Sequence, residues 1–148
     1  MADTTKLKTI IEPYVREWLK DKYHKSFEEK ELPLKLITGG QHGFDIVSKD
    51  EDQTIIGGIK AHSLNKNGKI KSGQMKSVFA ELYFLSLIKA KKKLLIFTNK
   101  KFHQNFLERT KGQILPDIKI KYCPLSKDLE DKAAQIHKDS SDEIGKKQ

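Results

Sequence analysis

Residues 44–62 read FDIVSKDEDQTIIGGIKAH, and the pattern of this stretch decides the fold. Phe44-Asp45-Ile46-Val47-Ser48 is a short run of strand-forming residues. Lys49-Asp50-Glu51-Asp52 is too polar to bury, and Thr54–Ala61 returns to isoleucine at 55, 56 and 59. Stiff β-branched side chains suit a pleated surface, so two such runs around a polar tip predict a hairpin. Gly57 and Gly58 interrupt the second run. Glycine weakens a strand, so the pair predicts a bulge or a close approach of another chain segment.

Upstream, Leu7, Ile10, Ile11, Tyr14, Val15, Trp18 and Leu19 recur at helical spacing and predict an amphipathic helix. Pro13 either kinks that helix or lies in its first turn. Tyr14 and Trp18 share the apolar stripe and are read as core residues, not as a base-stacking platform. The charged run Lys20–Glu31 reads as the helix end and a loop, Leu34, Leu36 and Ile37 as a short strand, and Gly39–Gly43 as a turn.

Downstream, Asn65–Lys69 is a basic turn, and a helix is expected from about Gly73 to Ala90 with Ser72 as its cap. Lys89 and Lys91–Lys93 then suit the negative end of its dipole. Leu94-Leu95-Ile96-Phe97 is continuously apolar, the mark of a strand covered on both faces. A helix from Phe102 to Gly112, a strand over Ile118–Tyr122 and a polar helix over Ser126–Lys138 complete the order.

The 148 residues make one domain, expected over 1–125, with a polar helix and a disordered tail over 126–148. The net charge of +9 favours a polyanionic partner. Cys123 is the only cysteine, which excludes an intrachain disulfide and a cysteine-rich zinc site. The histidines at 24, 42, 62, 103 and 137 show no i, i+4 pair of the kind that binds zinc on a helix. Met1–Lys8 lacks an apolar signal core and no run is long enough to span a bilayer, so a soluble cytoplasmic protein with no membrane partner is expected.

Phosphodiester hydrolysis with a hard divalent cation requires carboxylates to hold the metal and a cation near the attacking water. Asp45 on one hairpin strand and Lys60 on the next supply two of these groups. The succession of Asp45, a hairpin, Gly58-Ile59-Lys60, a long helix and the Leu94–Phe97 strand resembles the PD-(D/E)XK, or restriction-endonuclease-like, nucleases. The likeness covers about Pro13 to Tyr122. It implies an α/β fold with a central mixed sheet flanked by helices, in the order αβββαβαβ. It also implies Mg²⁺- or Mn²⁺-dependent cleavage of DNA, of restriction or junction-resolving type, with Asp45 and the Ile59 backbone carbonyl as metal ligands and Lys60 as a catalytic group.

Gly58 departs from that pattern, because it stands where the family has Asp or Glu. Some members carry the missing carboxylate on the following helix, and this chain offers Glu81 there as a catalytic and metal-binding residue. Gln74, Ser77 and Glu81 form a polar stripe at i, i+3 and i+7, and the bare Gly58 leaves room for Glu81 to reach in. Glu81 is alternatively a structural ion-pair partner of Lys60. Glu12, Gln74 and His62 are accessory candidates, and His42 and its neighbouring glycines precede the motif.

Lys66, Lys69, Lys71, Lys100 and Lys101 are candidates to hold nucleic-acid phosphates. Arg16 and Arg109 are the only arginines, which restricts bidentate reading of guanine. A homodimer would suit cutting of two strands. The alternatives are an inactive nuclease-fold protein that binds nucleic acid or a partner subunit, with Gly58 as the reason, and a plain interaction protein whose lysines are incidental.

Overall fold

The hairpin read from residues 44–61 lies at the middle of a mixed sheet. The computed structural model describes residues 5–34 and 39–146, with side chains over 6–34 and 39–139. The elements are α1 (Thr5–Tyr23), β1 (Phe27–Pro33), β2 (Gln41–Ser48), β3 (Ile55–Lys60), α2 (Ser72–Ser86), β4 (Lys92–Phe97), α3 (Lys100–Arg109), β5 (Ile118–Tyr122) and α4 (Lys127–Lys146). The sheet order is β1-β2-β3-β4-β5. The first two pairings are antiparallel and the last two parallel, with α2 and α3 as the crossovers. The protein is therefore α/β, a five-stranded mixed sheet flanked by four helices.

Each face of the sheet has its own core. Ile56, Leu95 and Phe97 pack against Val78, Leu82 and Leu85 of α2 and Phe102 and Phe106 of α3. On the other face Ile46, Ile55, Ile59, Leu94 and Ile96 meet Ile11, Val15 and Leu19 of α1, with Ala133 and Ile136 of α4 beside them. Burial on both faces explains the unbroken apolar run in β4, where Leu94–Phe97 is fully buried between β3 and β5. Tyr14 and Trp18 are half-buried against the α1 core. Asp50 ties the hairpin tip together, accepting from Ser48 Oγ (2.8 Å), Thr54 N (3.0 Å) and Lys25 Nζ (2.6 Å). Among the described residues no helix is long and apolar enough to cross a membrane.

Several boundaries differ from the sequence reading. The charged stretch expected to be a helix end and loop, Lys20–Glu31, holds most of β1, FEEKELP, in which only Phe27 and Leu32 are buried. It is an edge strand, and charge on an edge deters pairing with other chains, so its apolar alternation is weak. Of the strand expected at Leu34, Leu36 and Ile37, Leu34 is buried just past the end of β1 and the other two lie outside the described residues. Gln41, His42 and Gly43 belong to β2, so of the expected turn only Gly39 and Gly40 lie outside the strand, both at positive φ. The N-cap position of α2 is held by Lys71, not Ser72, and Gln74 Oε1 accepts from Lys71 N at 3.0 Å. α2 stops at Ser86, so Lys89 and Lys91–Lys93 fall beyond its last turn, and Lys92 and Lys93 open β4. α1 runs through Pro13. α3 begins at Lys100, two residues before the expected Phe102, and ends at Arg109. Asn99 caps it by accepting from Phe102 N at 2.9 Å. α4 continues past the expected end at Lys138 to Lys146, with Ser126 Oγ accepting from Leu129 N at 3.3 Å.

Gly57 explains half of the glycine pair. A Cβ there would collide with the Leu94 carbonyl on the neighbouring strand. Because the obstacle is backbone at the sheet centre, Gly57→Ala is expected to cost about 1–3 kcal/mol, the usual price of overpacking. A lowered midpoint in urea denaturation checks this, and an unchanged midpoint contradicts it.

Candidate active site

A β-bulge aims Asp45. In the β1–β2 ladder Lys30 faces Phe44 and Glu28 faces Val47, so Glu29 alone opposes both Asp45 and Ile46. The extra residue turns the strand and frees groups that a regular ladder would engage. The Asp45 carbonyl accepts from Arg16 Nε of α1 at 2.9 Å. Its carboxylate accepts from Ile59 N of β3 at 2.9 Å, just past the Ile46–Gly57 pair. The half-buried Asp45 therefore stands in the seam where β2 and β3 part.

Gly58 and Lys60, two apart on β3, face α2. A Cβ on Gly58 would lie 2.8 Å from both Cγ and Cδ of Glu81. The Glu81 side chain thus occupies the volume that a residue at 58 would need, which is the other half of the glycine pair. Glu81 is 8% exposed in its side chain, and one carboxylate oxygen pairs with His42 Nε2 at 3.0 Å. The other, Oε1, is buried with no hydrogen-bond partner among the described residues. His42 is positioned by stacking on Phe84, one turn along α2 from Glu81, at 3.9 Å and 10°, with Phe44 edge-on at 4.7 Å. Lys60 Nζ donates to Ser77 Oγ at 3.0 Å. The alternative of a Lys60–Glu81 structural ion pair is thereby corrected: Glu81 is partnered by His42 and Lys60 by Ser77.

Three carboxyl groups share this region. Burial raises Asp45 from its ordinary value, opposed by the Ile59 N–H and the Lys60 charge. Burial likewise raises Glu81, opposed by its bond to His42. Glu12 of α1 is pushed up to about 7, first by burial and then by the negative charge of Asp45. Arg16 bridges the group, its guanidinium 3.2 Å from Glu12 Oε1 and 3.8 Å from Glu29. The Ile59 carbonyl belongs here too. Successive carbonyls of a strand point to opposite edges. That of Lys60 accepts from Thr98 N on the β4 side (3.3 Å), so that of Ile59 faces β2 and Asp45. Among the described residues no group of three His, Cys, Asp or Glu side chains is placed to hold a metal unaided. The donors at hand are two carboxylates and a main-chain carbonyl.

Beside this cluster lies a cavity of about 720 Å³. Leu7, Ile11, Ile59 and Leu64 give it apolar walls, and among the described residues Lys8, Lys66, Lys71 and Lys138 give it cations against the one carboxylate of Glu12. Two accessory candidates line it as well, but neither joins the carboxylates. Gln74 donates to Ser63 O at 3.1 Å and so anchors the 61–71 loop to α2. His62 is lowered to about 4 by burial and then by Lys60, which keeps it neutral at pH 7. Lys69 is exposed in the same basic turn. Lys100 and Lys101 are exposed at the start of α3, directly after β4, and therefore at the same end of the parallel strands as Lys60.

The sequence reading underrated three residues. Arg16 was signalled by its i, i+4 spacing from Glu12. His42 and His137 carried no local signal: His42 meets a residue 39 positions away, and His137 bonds the Ala61 carbonyl (2.9 Å) across 76.

The Glu12 shift has a definite sign. Its folded value, about 7, exceeds the ordinary 4.5, so the native state holds the proton more tightly and stability falls as pH rises between them. Glu12→Gln removes that loss. The melting temperature of the variant is expected to match wild type near pH 4 and to exceed it near pH 8; a constant difference across this range contradicts the shift. Comparison with known protein families, curated proteins and solved structures finds no match to this chain.

Proposed function

We propose that this chain is a metal-dependent endonuclease of the restriction-endonuclease-like kind, hydrolysing phosphodiester bonds in DNA. The observation that carries the reading is the Glu81 carboxylate lying over Gly58, next to the strand that bears Lys60 and contacts Asp45. The acidic group missing from the strand motif is supplied from α2 at the space left open for it. The αβββαβαβ order of the elements, with α4 appended, is consistent with the same family.

The residues fit a hard divalent cation. Glu81 Oε1 is a buried acceptor with no donor among the described residues, so it is open to a metal ion, a water or a proton. Mg²⁺ needs only one or two carboxylates, because waters and substrate phosphate complete its shell. Asp45, Glu81 and the Ile59 carbonyl would hold Mg²⁺ or Mn²⁺, which when bound supplies Lewis acidity and a more acidic water. Lys60, steadied by Ser77, orients the attacking water and offsets the negative charge that grows at phosphorus. Lys66, Lys69, Lys71, Lys100 and Lys101 hold backbone phosphates without reading sequence. A homodimer would present two such sites to two strands.

A second reading, an inactive relative that binds nucleic acid or a partner subunit, is favoured by one feature. Asp45, Glu81 and Lys60 each already have a protein partner, in Ile59, His42 and Ser77.

Cleavage assays with Mg²⁺ or Mn²⁺ separate the two. Asp45→Ala should abolish cleavage and metal binding while the fold persists, since losing one of several clustered carboxylates relieves repulsion. Lys60→Ala should retain metal binding and lose on the order of 10²–10³-fold in rate. Glu81→Gln, nearly isosteric, should lose activity and need more metal. Wild-type protein that binds DNA but cleaves no linear, branched or single-stranded substrate supports the inactive relative.

A further inference from the structure

Apart from Lys66 and Lys71 on its rim, the cavity beside the carboxylates has no role in the scheme above, yet it shares two residues with their surroundings. The Ile59 backbone contacts Asp45 while the residue lines the cavity, and Glu12 lines it while acting electrostatically on Asp45. Resting on the nuclease reading, we propose that this cavity seats one unpaired nucleotide next to the cleaved phosphodiester, so that the substrate is DNA with a bulged, flapped or single-stranded segment and not continuous duplex.

Size is the first argument. A volume of about 720 Å³ falls within the roughly 300–1,000 Å³ of pockets that hold one small ligand. That is the scale of one nucleotide and far below the volume of a double helix. The lining is the second. Leu7, Ile11, Ile59 and Leu64 offer apolar surface to the faces of a base, whatever its identity. The four lysines match the phosphates on either side of such a nucleotide, and Lys66 and Lys71 lie on the loop that Gln74 fastens to α2. Shape is the third. α4 is bonded across the end of β3 through His137 and Ala61 and brings Lys138 to the cavity. The walls thus come from α1, β3, the 61–71 loop, α2 and α4, a half-open cleft that a base removed from its stack could enter from solvent.

The test uses a DNA hairpin with 2-aminopurine as its single bulged base, beside a fully paired duplex carrying the same base, in EDTA so that binding is read without cleavage. A stacked, paired base must first be extruded, whereas a bulged one need not be, so wild-type protein is expected to prefer the bulged hairpin by roughly tenfold or more. The bound 2-aminopurine should also be shielded from acrylamide quenching. Ser63→Trp, which fills the cavity from its loop, should remove the preference and the shielding. Lys66→Ala should weaken both complexes and keep their ratio. Equal affinity for the two DNAs, with the base still open to acrylamide, overturns the proposal. That result depends on wild-type protein alone, so a poorly folded variant does not obscure it. Cleavage of paired duplex as fast as of the bulged hairpin overturns the pocket and leaves the nuclease reading standing. A shielded bulged base without cleavage in Mg²⁺ supports the pocket and ends the nuclease reading.

Discussion

The side chain of Glu81 lies against the bare α-carbon of Gly58, and the candidate site is arranged around that contact. It sets how α2 meets β3, because any side chain at 58 would have to displace the glutamate. It brings a carboxylate from a helix to the sheet position next to Asp45, and it leaves the neighbouring Lys60 to Ser77, one turn earlier on α2. A buried carboxylate is costly unless it is paired, and only one of the two Glu81 oxygens is.

The surrounding elements converge on the same place. The bulge at Asp45 and Ile46 breaks the β1–β2 ladder and turns Asp45 toward the seam between β2 and β3. α1 lays Arg16 on the freed Asp45 carbonyl and sets Glu12 close enough for the charge of Asp45 to act on it. Asp45, Glu12 and Glu81 are all raised, first by burial, so the cluster costs stability at neutral pH that the two apolar cores must offset.

α1 was legible from its apolar period, the hairpin from two β-branched runs around a polar tip, and β4 from a short unbroken apolar run. The first strand was not, since an edge strand buried at Phe27 and Leu32 alone carries too little apolar signal to stand out from a charged loop. Within the site, Gly58 and the Gln74–Ser77–Glu81 stripe together pointed to a carboxylate arriving from α2. The same stripe misled for Gln74, which anchors a loop. The bulge had no signal, because it is a mismatch between two strands and not a property of either. The role of His42 was equally hidden, as it depends on a ring stacked on Phe84 from another element.

If Glu81 stands in for a strand carboxylate, then positions 58 and 81 compete for one volume, and the most direct measurement is a double-mutant cycle with Gly58→Asp and Glu81→Ala. The account predicts that Gly58→Asp alone destabilises the fold, that Glu81→Ala alone weakens Mn²⁺ binding, and that the double variant recovers stability and Mn²⁺ affinity together, with strong coupling in both readouts. Additive effects, with no recovery of either, would contradict it.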